Sequence, residues 1–275
     1  MRLKIGAVSY LNTKPLVEGM NDESSGEYEV SFDLPSRLAD RLSAGQLDVA
    51  LIPVVEAIAS PEYTIVSDAC IACRGPVWSV KLMSKVPGTE IKSLALDEGS
   101  RTSCALTRVL LDRKFQVRPE CEPLAMAQDW RSSSTDATLI IGDRAMNACS
   151  PEFPFVWDLG EEWNQWTGNP FVFAVWAARP GSDLSALKQI LTGSRDLGLK
   201  NIEKIATEHA ADYGLTNDEC LKYLNEHLHF VLGAKEKSGM DLFFQYAAEL
   251  SLIPQQTQLR FYDCQTNSQP TSPIA

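Results

Sequence analysis

The chain has 275 residues, 25 Lys+Arg against 36 Asp+Glu for a net charge of −11, and 44% apolar residues. That length allows one large domain or two lobes with a substantial core, and ten Phe, six Trp and seven Tyr exclude a disordered polymer. The negative balance argues against nucleic-acid and membrane partners, both of which need a positive field, but leaves a small anionic ligand open because local donors decide that.

From the N-terminus, residues 3–8 read as a strand, 13–20 as a helix and 28–32 as a strand. Residues 36–44 then form a helix with Leu38, Ala39 and Leu42 on one stripe and Gly45 as its stop, followed by a buried strand at 48–52. Short strand–helix alternation with apolar strands predicts a parallel sheet covered on both faces. No G-x-G-x-x-G follows the first strand and no Walker A loop occurs, so this lobe is Rossmann-like without a nucleotide fingerprint.

The pattern changes near Gly75-Pro-Val-Trp-Ser, a first extended crossing, and a second alternation begins. It comprises a strand at 93–96, a helix at 102–111, a strand at 138–141 and a short helix at 143–148. A second crossing starts at Asn169-Pro170, and from Asp183 to about Leu252 the periodicity is helical. The last dozen residues, rich in Gln, Ser, Thr and Pro, read as a disordered tail. The plan is α/β: a two-lobed periplasmic-binding-protein-like (type II) fold with a ligand cleft between lobes. Lobe 1 is 1–88 plus 175–275 and lobe 2 is 89–174.

The opening MRLKIGAVSYLNTKPL lacks the apolar segment of a secretory signal, and nothing approaches the roughly 18 uninterrupted apolar residues of a membrane span. Seven scattered cysteines fit reduced thiols, so a cytoplasmic location is expected. Cys70 and Cys73 form the single C-x-x-C pair; with no second pair and no nearby His they read as small buried residues, not as a zinc site.

In such folds ligands sit beyond the carboxyl ends of the strands. After the first strand come Ser9-Tyr10-Leu11-Asn12-Thr13, more polar groups than one helix cap uses. Asp97-Glu-Gly-Ser100-Arg101-Thr102-Ser103 precedes an apolar helix, and glycine, hydroxyls and an arginine at a helix N-terminus make an anion cradle. At the first crossing Ser79 either faces the cleft or belongs to a turn with Trp78 as core. Asp143 is either a helix N-cap or a cleft carboxylate. Trp163 and Trp166, just before Thr167-Gly168, either wall an aromatic ligand or are core. All three histidines, His209, His227 and His229, lie in the C-terminal segment, so a Ser-His-Asp or Cys-His pair and a His-based metal site are not expected.

These segments resemble the chorismate dehydratases of the futalosine route to menaquinone. The resemblance is carried by Ser9-Tyr-Leu-Asn-Thr-Lys-Pro-Leu, PSRLADRLSAGQLDVALIPVVE at 35–56, Gly75 to Ser79, LALDEGSRTS at 94–103, LIIGDRA at 139–145 and DLGEEWNQWTGNPFVFAVWA at 158–177. It implies a hydro-lyase that converts chorismate, a dianion, to 3-[(1-carboxyvinyl)oxy]benzoate without metal or organic cofactor. Carried onto this chain, Ser100, Thr102 and Ser103 hold the ring carboxylate with Arg101 assisting, and Asn12 and Ser79 bind the enolpyruvyl side or the leaving hydroxyl. Ser9, Tyr10, Thr167 and Gly168 complete the substrate-binding set. No side chain stands out as general base; the substrate's own enolpyruvyl carboxylate takes that role, with Asp143 as competing base. The rivals are 1,4-dihydroxy-6-naphthoate synthase of the same pathway, expected to carry a histidine in the second lobe, where this chain has none, and a cytosolic small-carboxylate sensor.

Overall fold

A computed structural model describes residues 2–20, 28–255 and 258–262. The chain begins with β1 (Leu3–Val8), a 3-10 turn (Leu11–Leu16), β2 (Tyr28–Asp33), α1 (Pro35–Ser43), β3 (Val49–Pro53), α2 (Val54–Ala59) and β4 (Thr64–Cys73). It continues through β5 (Val80–Ser84), β6 (Ser93–Asp97), α3 (Arg101–Arg113), β7 (Glu120–Leu124), β8 (Ala137–Ile141), α4 (Asp143–Met146), β9 (Phe155–Asp158) and α5 (Leu159–Thr167). The rest is β10 (Phe171–Ala178), α6 (Leu184–Lys200), α7 (Ile202–His209), α8 (Asn217–Lys222), β11 (His229–Val231), α9 (Ala234–Glu249) and β12 (Arg260–Phe261).

Two sheets result. One runs β11-β4-β10-β3-β1-β2, with β12 added beside β4; the other runs β7-β6-β8-β5-β9. Strands β1, β2 and β3 are parallel, as the alternation predicts, and so are β6, β7 and β8. The exceptions include the strands that follow the crossings: β10 is antiparallel to β3 and β4, and β5 is antiparallel to β8 and β9. Sheet membership changes between Cys73 and Val80 and again between Asp158 and Phe171. Thus β5, within the stretch 1–88, is hydrogen-bonded into the five-stranded sheet.

The helices cover the sheets where their apolar stripes predict. Leu38, Ala39 and Leu42 of α1 are buried, and the helix packs on β1 and β3. Gly6 permits this approach, since a Cβ there would sit 2.8 Å from Leu38 and 2.6 Å from Leu47. Helix α6 packs on β4 and on the first 3-10 turn, where Gly198 lies so close to the Pro15 carbonyl that a Cβ would be 1.9 Å from its oxygen.

Two elements differ from the periodicity reading. Residues 13–20 do not form a helix; a single 3-10 turn spans Leu11–Leu16 with Pro15 inside it, and the missing N–H and bulky ring of proline end regular α-helix there. The helical C-terminal segment is broken at β11, which extends the first sheet along β4. The Gln- and Ser-rich stretch 264–275 lies outside the described residues.

Both crossings are tied down. The Asp158 carboxylate accepts four backbone N–H groups, from Val77 at 2.9 Å, Trp78 at 2.5 Å, Gly160 at 3.0 Å and Glu161 at 3.1 Å. It therefore caps α5 and grips the first crossing at once. At the second crossing the Trp163 indole N–H donates to the Pro170 carbonyl at 3.1 Å, and Gly239 of α9 packs on the same carbonyl, with room for no Cβ.

Candidate active site

A narrow cavity of about 40 Å³ lies where the two sheets meet. Its walls come from the carboxyl ends of β1, β3 and β8, the N-terminus of α3 and the starts of the antiparallel β5 and β10. Tyr10, Asn12, Ser79, Ser100 and Ser103 are its polar lining residues, and Pro53, Ile141, Gly142 and Phe173 are among the others. No residue of that wall carries a carboxylate, an imidazole or an amine.

The α3 end is built as the sequence leads one to expect. Ser100 is its N-cap: its Oγ accepts the Ser103 N–H at 3.3 Å and lies 3.0 Å from Ser103 Oγ. The hydroxyls and free amides of a thirteen-residue helix thus sit at the cavity wall, where its dipole favours negative charge. Thr102 and Arg101 are used otherwise. Thr102 is fully buried and its Oγ1 accepts the Val55 N–H at 3.4 Å, tying α2 to α3. Arg101 is paired with Asp40 at 2.8 Å and Glu56 at 3.3 Å, so its charge is met by α1 and α2 and it does not line the cavity.

On the β1 side, Tyr10 and Asn12 reach the cavity while Ser9 does not line it; Ser9 is exposed and its N–H donates to the Asp33 carbonyl at 3.1 Å. Neither Ser9, Asn12 nor Thr13 caps the 3-10 turn through its side chain. The Tyr10 ring lies on Gly142, where a Cβ would sit 2.7 Å from it and where φ is +70°; glycine is therefore required twice over. The Tyr10 hydroxyl is buried without a hydrogen-bond partner, and burial, with Asp97 and Asp143 nearby, raises its pKa.

Asp143 stands one residue beyond the wall. Its carboxylate accepts the Leu11 N–H at 3.2 Å, linking α4 to the turn after β1. Burial pushes its pKa up to about 6, against the opposing pull of that N–H and of Lys14. Thr167 and Gly168 close α5: Thr167 Oγ1 donates to the Trp163 carbonyl at 2.8 Å, Gly168 takes the left-handed conformation at φ +70°, and neither lines the cavity. Trp163 is core, packed edge-on against Phe171 and Phe243, and Trp166 is stacked on Tyr246. Cys70 and Cys73 are buried on β4, where the Cys73 thiol is pushed up to about 12 by burial. Among the described residues no three His, Cys, Asp or Glu side chains are grouped to hold a metal ion.

Four supporting residues were not legible as such. Asp97, fully buried at the end of β6, accepts the Gly99 N–H at 2.9 Å and the Ile141 N–H at 3.2 Å and pairs with Arg144, which fixes the Ser100 loop to the end of β8. Both lie inside motifs quoted above, so an acid and a base ending neighbouring strands was the available signal. Asp158 is the third. Tyr223 is the fourth: fully buried, it donates to Ser79 Oγ at 2.9 Å from a segment whose leucine stripe reads only as core.

Two sheets with a narrow cavity at their junction, lined by the strand ends, define the class of two-lobed binding-protein-like folds. The described chain aligns over its full length with the periplasmic aliphatic sulphonate binding protein of Escherichia coli (TM-score 0.60, 17% identity, 96% of that chain). It also aligns with a protein of Archaeoglobus fulgidus (TM-score 0.72, 15% identity, 92% of this chain and 98% of that one). Residues 3–249 match the profile of a family described as menaquinone biosynthesis, and the chain belongs to that family. It is 30% identical over 229 residues to the chorismate dehydratase of Thermus thermophilus, covering 77% of this chain and 83% of that protein.

Proposed function

We propose that the chain removes water from chorismate to give 3-[(1-carboxyvinyl)oxy]benzoate, as a cytoplasmic enzyme of the futalosine route to menaquinone. The observation that carries the reading is the cavity wall, rich in neutral donors and free of ionised side chains, in a chain whose family and relatives serve menaquinone biosynthesis. We assign the lobes to the two sheets, with the boundaries inside the crossings at 74–79 and 168–170.

The chemistry needs little from the protein. A ring C–H proton and the neighbouring hydroxyl leave as water and the ring becomes aromatic, so orientation and charge stabilisation suffice. Ser100, Ser103 and the amides of α3 hold the ring carboxylate. Asn12 and Ser79 hold the enolpyruvyl carboxylate and the departing hydroxyl. The enolpyruvyl carboxylate takes the ring proton, and that proton ends on the departing hydroxyl as water. Asp143 is the weaker candidate base because it sits behind Gly142 and already accepts the Leu11 N–H.

A chorismate analogue whose enolpyruvyl carboxylate is replaced by hydrogen tests this assignment. It is expected to bind but not to react; turnover of that analogue at a rate near that of chorismate would transfer the base to the protein.

A further inference from the structure

We infer that Tyr223 is a positioning residue that fixes the Ser79 hydroxyl as a hydrogen-bond donor toward the ligand. The inference rests on the reading that Ser79 touches the substrate. Ser79 lines the cavity and is itself buried. Its Oγ accepts the Tyr223 hydroxyl proton at 2.9 Å. A serine hydroxyl has one proton to give, and among the described residues the only carbonyl it meets is that of Val77 at 3.4 Å, too long to compete well. With Tyr223 donating into a lone pair, the serine proton is left for a ligand atom, and the incoming bond strengthens the outgoing one.

The surroundings hold this geometry rigidly. Tyr223 heads a single π-helical turn, Tyr223–His227, an uncommon irregularity that recurs at functional sites. Trp78, the residue before Ser79, sits edge-on to the Tyr223 ring at 5.8 Å and against the His227 ring at 5.7 Å. His227 Nδ1 meets the Pro76 carbonyl at 3.1 Å. Trp78 has φ +65°, a costly conformation for a large side chain, and it is gripped by Asp158 on its N–H. The strained residue therefore turns the chain so that Ser79 meets Tyr223.

The test is a double-mutant cycle on chorismate dehydration with Tyr223→Phe, Ser79→Ala and the pair, with melting curves for each. Tyr223→Phe removes one oxygen and is expected to lower kcat by about ten- to a hundredfold with KM changed less than about threefold. In the Ser79→Ala background the same change is expected to cost almost nothing, because its effect passes through the serine. A merely structural tyrosine would lose the same factor in both backgrounds, and that additivity, or full activity of Tyr223→Phe, would overturn the inference. Failure of the dehydratase reading is distinct: the wild-type protein would then show no turnover at all.

Discussion

Asp143 carries a pH dependence whose sign is fixed by burial. Its carboxyl rises from 3.8 to about 6 on folding, so between those values the folded chain binds more protons than the unfolded one and stability falls as pH rises. Above pH 6 the cost of the buried carboxylate is fully present. Asp143→Asn keeps an acceptor for the Leu11 N–H and removes that charge. We expect its Tm to exceed the wild type by about 3 °C at pH 8, the gain vanishing toward pH 4, with kcat within about tenfold. A loss of several orders of magnitude in kcat with the fold intact would make Asp143 the base. Arg101 gives a second test. It pairs with Asp40 and Glu56 across partly exposed contacts worth about 1 kcal/mol or less, so Arg101→Ala should alter KM only a few-fold in steady-state assays. A direct arginine–carboxylate bond would cost at least about a hundredfold.

At the scale of elements, the site depends on short joints between strand ends. Asp97→Ala would leave Arg144 facing an empty partner position at the junction of β6 and β8 and remove the acceptor of two backbone amides. Urea unfolding should show a loss of about 3 kcal/mol. Gly142→Ala would strain a left-handed backbone and push a methyl group into the Tyr10 ring, and should raise KM for chorismate as well as lower Tm. These joints explain what the sequence revealed. Strand ends carrying Ser100 and Ser103 were legible because hydroxyls and glycine at a helix start answer a local rule. The 3-10 turn at Leu11–Leu16 was misread as a helix because apolar spacing outweighed Pro15. Tyr223 was invisible because its role depends on a contact 144 positions away in the chain, and its neighbours Leu221 and Leu224 give it the look of a core stripe. Arg101 reads as an assisting charge for the anion because glycine, hydroxyls and an arginine gather at one helix N-terminus, and only the packing of α1 and α2 supplies its carboxylates.

Across the molecule, the proposed function has a chain of net charge −11 bind a dianion with neutral donors in the cavity wall. The bulk field opposes the ligand, and the attraction is confined to a few ångströms of hydroxyl and amide. Raising salt from about 0.05 to 0.5 M should therefore change KM by less than about threefold. The two sheets are linked at the cavity by the Leu11–Asp143 and Ser36–Gly99 hydrogen bonds and by Arg101, and the Asp158 clamp and Pro170 contacts hold the crossings between them. The central claim is that this junction eliminates water from its ligand and does more than hold it. Purified protein incubated with chorismate, with products followed by ultraviolet absorbance and mass spectrometry, tests it most directly. The account predicts an aromatic enol ether lighter than chorismate by one water, formed far more slowly by Ser79→Ala; saturable binding of chorismate with no conversion would contradict it.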